Sequence, residues 1–226
     1  RSSRSGWLPP TTASARKASR MALLRAALTG GIATGKSYVR SRLAAHGIPT
    51  LDADVLARDA VAPGTSGLAA VAERFGTDVL LTDGSLDRRA LGLVVFGDTQ
   101  ARADLEAIVH PRVREATSTW LDRLAAAGES LAVVDIPLLY ETGRDHDFDR
   151  VIVTSCPRSQ QVARVVERDG LTSAQAEARI DAQLPTDDKV QRADFVIDTG
   201  GTFGDTNRQV DRVVEKLLEL SAAAGR

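Results

Sequence analysis

Apolar and polar positions along the chain follow two periods, and their order sets the architecture. Short apolar runs of strand length stand at residues 25–28, 48–51, 131–134, 150–154 and 193–198. Runs of this length bounded by turn residues read as buried strands. Between them the spacing turns helical, over Tyr38–Ala45, much of 55–127, Pro157 to about Arg168, Thr172 to near Pro185, and Val210–Leu220. Five β-rich runs separated by helices predict an α/β fold, with a five-stranded parallel sheet covered on both faces.

The punctuation refines this pattern. Gly47 suits a helix stop, and Pro157 suits the first position of a helix that ends near Gly170. Thr172 to Gln175 has the form of a capping box. Turn signals fall at Pro63–Gly67, Thr82–Gly84 and Phe96–Asp98. Leu105, Ile108 and Val109 form a helical face that is expected to break at His110-Pro111 and resume over Val113–Leu124. More than sixty residues between the second and third strands is too long for a simple crossover. It reads as a helical insertion about 60–127, the usual place for gripping a second substrate.

The chemistry begins at the end of the first strand. Gly30-Gly31-Ile32-Ala33-Thr34-Gly35-Lys36-Ser37 is a Gly-x-x-x-x-Gly-Lys-Ser pattern between a strand and a helix, the context of a phosphate-binding P-loop. Its glycines let the backbone approach an anion, and its amides with the helix start line one concavity. Lys36 can reach the β- and γ-phosphates of a nucleoside triphosphate, and the Ser37 hydroxyl can ligate Mg²⁺.

Acids follow at the ends of later strands. Asp52 and Asp54 lie two apart, so on a continuing strand they would share a face where open α/β sheets bind ligands. Asp54 also has the position of an N-cap for the helix beginning at Val55. Asp135 closes the third strand, as does the second acid on the Mg²⁺ side in P-loop proteins. Arg164 and Arg168 share a helix face, with Glu167 expected off it.

Composition adds exclusions. A formal charge of -1 over 226 residues leaves no electrostatic footprint for nucleic acid or an anionic membrane. The single Cys156 excludes an internal disulfide and fits a reducing, cytoplasmic compartment, where it serves as a small buried hydrophobe. Residues 1–20 are basic, Ser-rich and free of acid, with Met21 next, and are expected to form a disordered extension outside the chemistry.

Several blocks together resemble the dephospho-coenzyme A kinases. They are Leu28 through Ser37, Asp52-Ala53-Asp54-Val55-Leu56-Ala57-Arg58, Leu86-Asp87-Arg88 with Val95-Phe96, Val109-His110-Pro111, Asp135-Ile136-Pro137-Leu138-Leu139-Tyr140-Glu141, Arg179-Ile180 with Gln183, and Ala193–Asp198. The match runs in order from about Met21 to Leu220. Thr199-Gly200-Gly201 stands where that family usually has Asn-Ser-Gly. The resemblance implies a P-loop kinase with a nucleotide core (21–59 and 128–226), a helical coenzyme A-binding insertion and a helical lid about 157–190. It implies ATP-dependent phosphorylation of the ribose 3′-hydroxyl of dephospho-coenzyme A, with Mg²⁺. By the same likeness Lys36, Asp54 and Arg164 would be catalytic, with Asp54 accepting the hydroxyl proton. Arg168 would join the P-loop around ATP, Arg58, Arg88 and His110 would lie on the acceptor side, and Asp135 and Ser37 would serve the metal. For His110, a helix-end histidine before proline is the other reading. A nucleoside monophosphate or shikimate-type kinase shares such a core and differs in the insertion. A nucleotide switch would turn over without an acceptor, and a guanine-reading one would usually carry Asn-Lys-x-Asp.

Overall fold

The computed structural model describes residues 23–224, so the expectation for residues 1–20 lies outside the described part. The chain opens with β1 (Leu24–Gly30), α1 (Lys36–Ala45), β2 (Thr50–Asp52) and α2 (Ala53–Asp59). The insertion supplies α3 (Ser66–Phe75), α4 (Arg88–Gly97) and the long α5 (Thr99–Ala127). Then come β3 (Leu131–Asp135), β4 (Arg150–Ser155), α6 (Arg158–Asp169), α7 (Ser173–Asp181), α8 (Thr186–Gln191), β5 (Phe195–Asp198) and α9 (Phe203–Ala224). All strand pairs are parallel, in the order β2-β3-β1-β4-β5.

The two-residue period of the strands divides the core. Leu24, Ala26, Leu28, Leu131, Val133 and Ile152 face one way and meet Val39 and Leu43 of α1 and Val210 and Leu217 of α9. Ala27, Ala132, Val134, Val151 and Val153 face the other way and meet Val113 and Leu121 of α5. Val61, Val71, Val79 and Leu91 give the insertion a small core of its own. Both faces of the three central strands β1, β3 and β4 are therefore largely dry, and the ligand-accessible edge is the carboxyl end of the strands. Register places Asp135 beside Leu28 of β1 and opposite Asp52 of β2 at that edge.

Four local features differ from the sequence expectations. The break at His110-Pro111 is absent, and α5 runs unbroken through Pro111. Proline removes one donor, yet Pro111 is exposed, so the carbonyl it strands faces water. Packing on both sides outweighs the loss. Leu105, Ile108 and Val109 lie against the insertion core, Val113 and Leu121 lie against the sheet, and Arg112 Nη1 donates to the Ile108 carbonyl at 2.5 Å. Second, β2 ends at Asp52, which is itself the cap of α2, its carboxylate accepting the Asp54 N–H at 2.9 Å. Asp54 sits in the first turn and is not the cap, and the strand-face argument does not apply to the pair. Third, Pro157 keeps an extended ψ of 139° and caps α6 from outside. Fourth, α8 is a separate short helix beyond Pro185.

Candidate active site

The P-loop is the turn between β1 and α1. Gly35 adopts φ 80° and caps α1 without a capping side chain, so the first amides of the helix stay available to an anion. Gly31 is required by close approach. A Cβ there would lie 2.6 Å from Thr186 Oγ1 and 2.7 Å from Gln161 Nε2. Ala33 takes a left-handed φ of 58°, the one non-glycine among the described residues to do so.

Residues far along the chain hold this loop in shape. Gln183 Oε1 accepts the Ile32 N–H at 2.9 Å, and Gln161 Nε2 donates to the Ile32 carbonyl at 2.9 Å. Thr199 Oγ1 donates to the Thr34 carbonyl at 2.9 Å, while the buried Thr34 and Thr154 hydroxyls pair at 2.7 Å. Arg164 reaches the Ala33 carbonyl at 3.3 Å and the Thr199 carbonyl at 2.8 Å. The loop is thus braced by the protein's own side chains and backbone, a condition for electrostatic preorganisation.

A cavity of about 850 Å³ opens over the loop, lined by Lys36, Ser37, Tyr38, Arg164, Arg168, Thr199 and Phe203 among others. Glu167 also lines it, contrary to the sequence expectation that it lies off the arginine face. The rings of Tyr38 and Phe203 sit 4.8 Å apart, and the tyrosine hydroxyl donates to Asn207 Oδ1 at 2.8 Å. Phe203 is 71% exposed, an apolar platform at the mouth of the cavity.

Charge gathers at the carboxyl end of β3. Asp135 is 4% exposed, and Lys36 Nζ lies 3.8 Å from its Oδ1. Burial pushes the Asp135 carboxyl up to about 6; Lys36 and Arg40 pull it down, and the Asp52 and Asp54 charges push it up. Asp135 Oδ1 is buried without a hydrogen-bond partner. An orphaned carboxylate oxygen beside a phosphate-binding loop suits a cation or its water. With the Ser37 hydroxyl at the start of α1, the residues present fit Mg²⁺ brought in with a nucleotide.

Comparisons with known proteins speak to the whole arrangement. The sequence model of the family "Dephospho-CoA kinase" matches residues 24–205. The chain belongs to the dephospho-CoA kinase family. A dephospho-CoA kinase of Anaeromyxobacter dehalogenans is 51% identical over 199 residues, covering 88% of this chain and 93% of that protein. The corresponding protein of Cutibacterium acnes is 51% identical, covering 86% and 85%. Among solved structures, a Thermus thermophilus protein superposes with a TM-score of 0.74 at 34% identity, covering 86% of this chain and 97% of its own. Dephospho-CoA kinase from Campylobacter jejuni gives 0.67 at 26% identity, covering 87% and 98%.

The residues that the dephospho-CoA kinase resemblance assigns to the acceptor flank Asp54. Asp54 is exposed on the first turn of α2, and the Arg58 Nε donates to its backbone carbonyl at 3.2 Å. A cleft of about 410 Å³ is lined by Asp54, Arg58 and Arg88, with Leu86, Leu91 and Val109 as its apolar wall. His110 stands on the other side, in a second cleft of about 160 Å³ that Asp54 also lines. Arg168 borders the nucleotide cavity, but its guanidinium is engaged by Asp169 at 2.8 and 3.0 Å. Cys156 is buried, and burial pushes its thiol up. Gln161, Tyr38 and Phe203 stand out in no sequence pattern, and Thr199 only as a departure from the family's usual Asn-Ser-Gly; Gln161 does lie one turn before Arg164 on the same helix face.

Proposed function

We propose that this chain transfers the γ-phosphoryl group of ATP to the ribose 3′-hydroxyl of dephospho-coenzyme A, giving coenzyme A and ADP, the last step of coenzyme A synthesis. One observation carries the reading. Lys36 at the anion-binding start of α1 lies 3.8 Å from the buried Asp135, and that carboxyl also feels the charge of Asp54 on the first turn of α2. The cavity over the P-loop has Lys36 in its lining, the cleft beside α2 has Asp54, and the charges of both residues act on Asp135.

Phosphoryl transfer asks a protein mainly for positioning and charge stabilisation. The P-loop amides cradle the phosphates and Lys36 holds the β- and γ-oxygens. Arg164, already over the loop at Ala33, turns its guanidinium to the transferring group. The adenine lies against Phe203, supported by the Tyr38 ring. Arg58, Arg88 and His110 hold the acceptor. Asp54 takes the proton of the ribose hydroxyl as that oxygen bonds to phosphorus and the bond to ADP breaks. Ser37 and Asp135 would hold Mg²⁺, which when bound neutralises charge on the β- and γ-phosphates.

No helix among the described residues is long and apolar enough to cross a membrane. ATP as donor and a single buried cysteine suit the cytoplasm. The test is direct. The purified protein is incubated with ATP, Mg²⁺ and dephospho-coenzyme A, and the acceptor is followed by mass spectrometry. A gain of one phosphate on the ribose, matched by ADP, is expected. ADP release that ignores the acceptor contradicts the reading.

A further inference from the structure

Arg40 has no role in phosphate binding as described above, yet it stands where the two acid-bearing strands meet. It lies one turn beyond Lys36 on α1, so the two side chains project to one face. Asp52 of β2 is directly opposite Asp135 of β3 in the register. Arg40 reaches across that step. Its Nη1 is 2.6 Å from Asp52 Oδ2, and its Nε is 3.7 Å from Asp135 Oδ2. All three side chains are largely buried, at 27%, 19% and 6% exposure.

Arg40 thus forms ion pairs with Oδ2 of both acids, close to Asp52 and longer to Asp135, and the Oδ1 atoms lie elsewhere. Asp52 Oδ1 accepts the Asp54 N–H at 2.9 Å and so starts α2. Asp135 Oδ1 carries no hydrogen bond and faces Lys36 Nζ at 3.8 Å. The charges of Asp52 and Asp54 both act on Asp135, adding to burial against the pull of Lys36 and Arg40.

We propose that Arg40 is a positioning residue, a cation that spans Asp52 and Asp135 through two of its nitrogens. It thereby sets both the first turn of α2 that carries Asp54 and the one oxygen of Asp135 that faces the phosphates. The proposal rests on the roles given to Asp54 and Asp135 under the proposed function. Arg40 touches no substrate; it acts through the two acids. Arg40 reaches the two acids with two separate nitrogens, whereas a lysine ammonium offers a single one. An ion pair that only held the fold together would lower melting temperature and leave the Mg²⁺ gain in affinity unchanged.

The test compares Arg40→Ala, Arg40→Lys, Asp54→Asn and the double variant Arg40→Ala/Asp54→Asn. The measurements are kcat, both KM values, melting temperature, and ADP affinity by calorimetry with and without Mg²⁺. Arg40→Ala is expected to lower kcat by about 10–100-fold, the usual cost of removing a group that orients a ligand. It should keep the Mg²⁺-free ADP affinity and shrink the gain in affinity that Mg²⁺ brings. Arg40→Lys should fall between the two. In the Asp54→Asn background, Arg40→Ala should cost clearly less kcat than in the wild type, because the placement of Asp54 no longer limits. An unchanged kcat and an unchanged Mg²⁺ gain in Arg40→Ala overturn the proposal, as does a kcat effect fully additive with Asp54→Asn. If Arg40→Ala fails to fold, a fully active Arg40→Lys overturns it. If Asp54→Asn proves fully active, the base assignment falls by itself. Arg40 is then judged on the Mg²⁺ gain, where no change overturns it.

Discussion

Lys189 Nζ lies 2.7 Å from Glu141 Oε1, and the lysine side chain is wholly buried. The same glutamate oxygen accepts the Leu184 N–H at 3.1 Å, so one carboxylate fixes both ends of the segment that leads into α8. The neighbouring Gln183 holds the P-loop at Ile32, and Thr186 bounds it at Gly31. The pair, its lysine buried and its glutamate partly exposed, therefore ties the segment that shapes the P-loop to the loop following β3. Removing one partner of such a pair leaves an uncompensated charge, commonly at ~3–5 kcal/mol. Glu141→Gln leaves the Lys189 ammonium without its counter-charge and is expected to lower stability by an amount of that order. Lys189→Met/Glu141→Gln should regain part of the loss. Urea denaturation checks this; a Glu141→Gln protein as stable as the wild type contradicts it.

Gly31→Ala tests how tightly α6 and α8 close on the P-loop. The added methyl meets Thr186 Oγ1 and Gln161 Nε2 at 2.6 and 2.7 Å, and Gln161 must give up its bond to the Ile32 carbonyl to make room. Overpacking of this kind costs ~1–3 kcal/mol. The expected result is a lower melting temperature together with weaker ATP binding. Full ATP affinity in the variant would mean that the loop does not depend on this contact.

Lys36→Met separates catalysis from folding. Lys36 makes one long contact, 3.8 Å to Asp135, so its loss should leave the melting temperature close to that of the wild type. Its charge on the transferring phosphoryl group belongs to the class of effects worth ~10²–10³-fold in kcat. A folded variant with near-normal turnover contradicts the phosphoryl-transfer reading.

The parts legible in the sequence are those whose physics is local. Strands buried on both faces read directly as apolar runs, and the P-loop needs its glycines, Lys36 and Ser37 in consecutive order. The capping box at Thr172 stands as its spacing says. The parts that were not legible depend on partners far away in the chain. Pro111 signals a break, and only the two cores gripping α5 on either side override it. Gln161 meets Ile32 across 129 residues and Thr199 meets Thr34 across 165, so neither role has a spacing to betray it. Thr199, in a segment where the family usually has Asn-Ser-Gly, uses its hydroxyl to brace the P-loop. That Asp52 and not Asp54 caps α2 turned on where β2 ends, and element boundaries are the least legible feature of a sequence.

The central claim places Asp54 as the base that takes the ribose proton, and Asp54→Asn tests it most directly. Asn keeps the size and removes the proton acceptor, while Asp52 retains the capping of α2. The decisive measurement pairs kcat for acceptor phosphorylation with ATP affinity by calorimetry on this one variant. The account predicts that kcat falls by ~10²–10⁴-fold with ATP affinity retained, and that raised Mg²⁺ or Mn²⁺ does not restore it. Unchanged kcat, or recovery of kcat at raised Mg²⁺ or Mn²⁺, contradicts it.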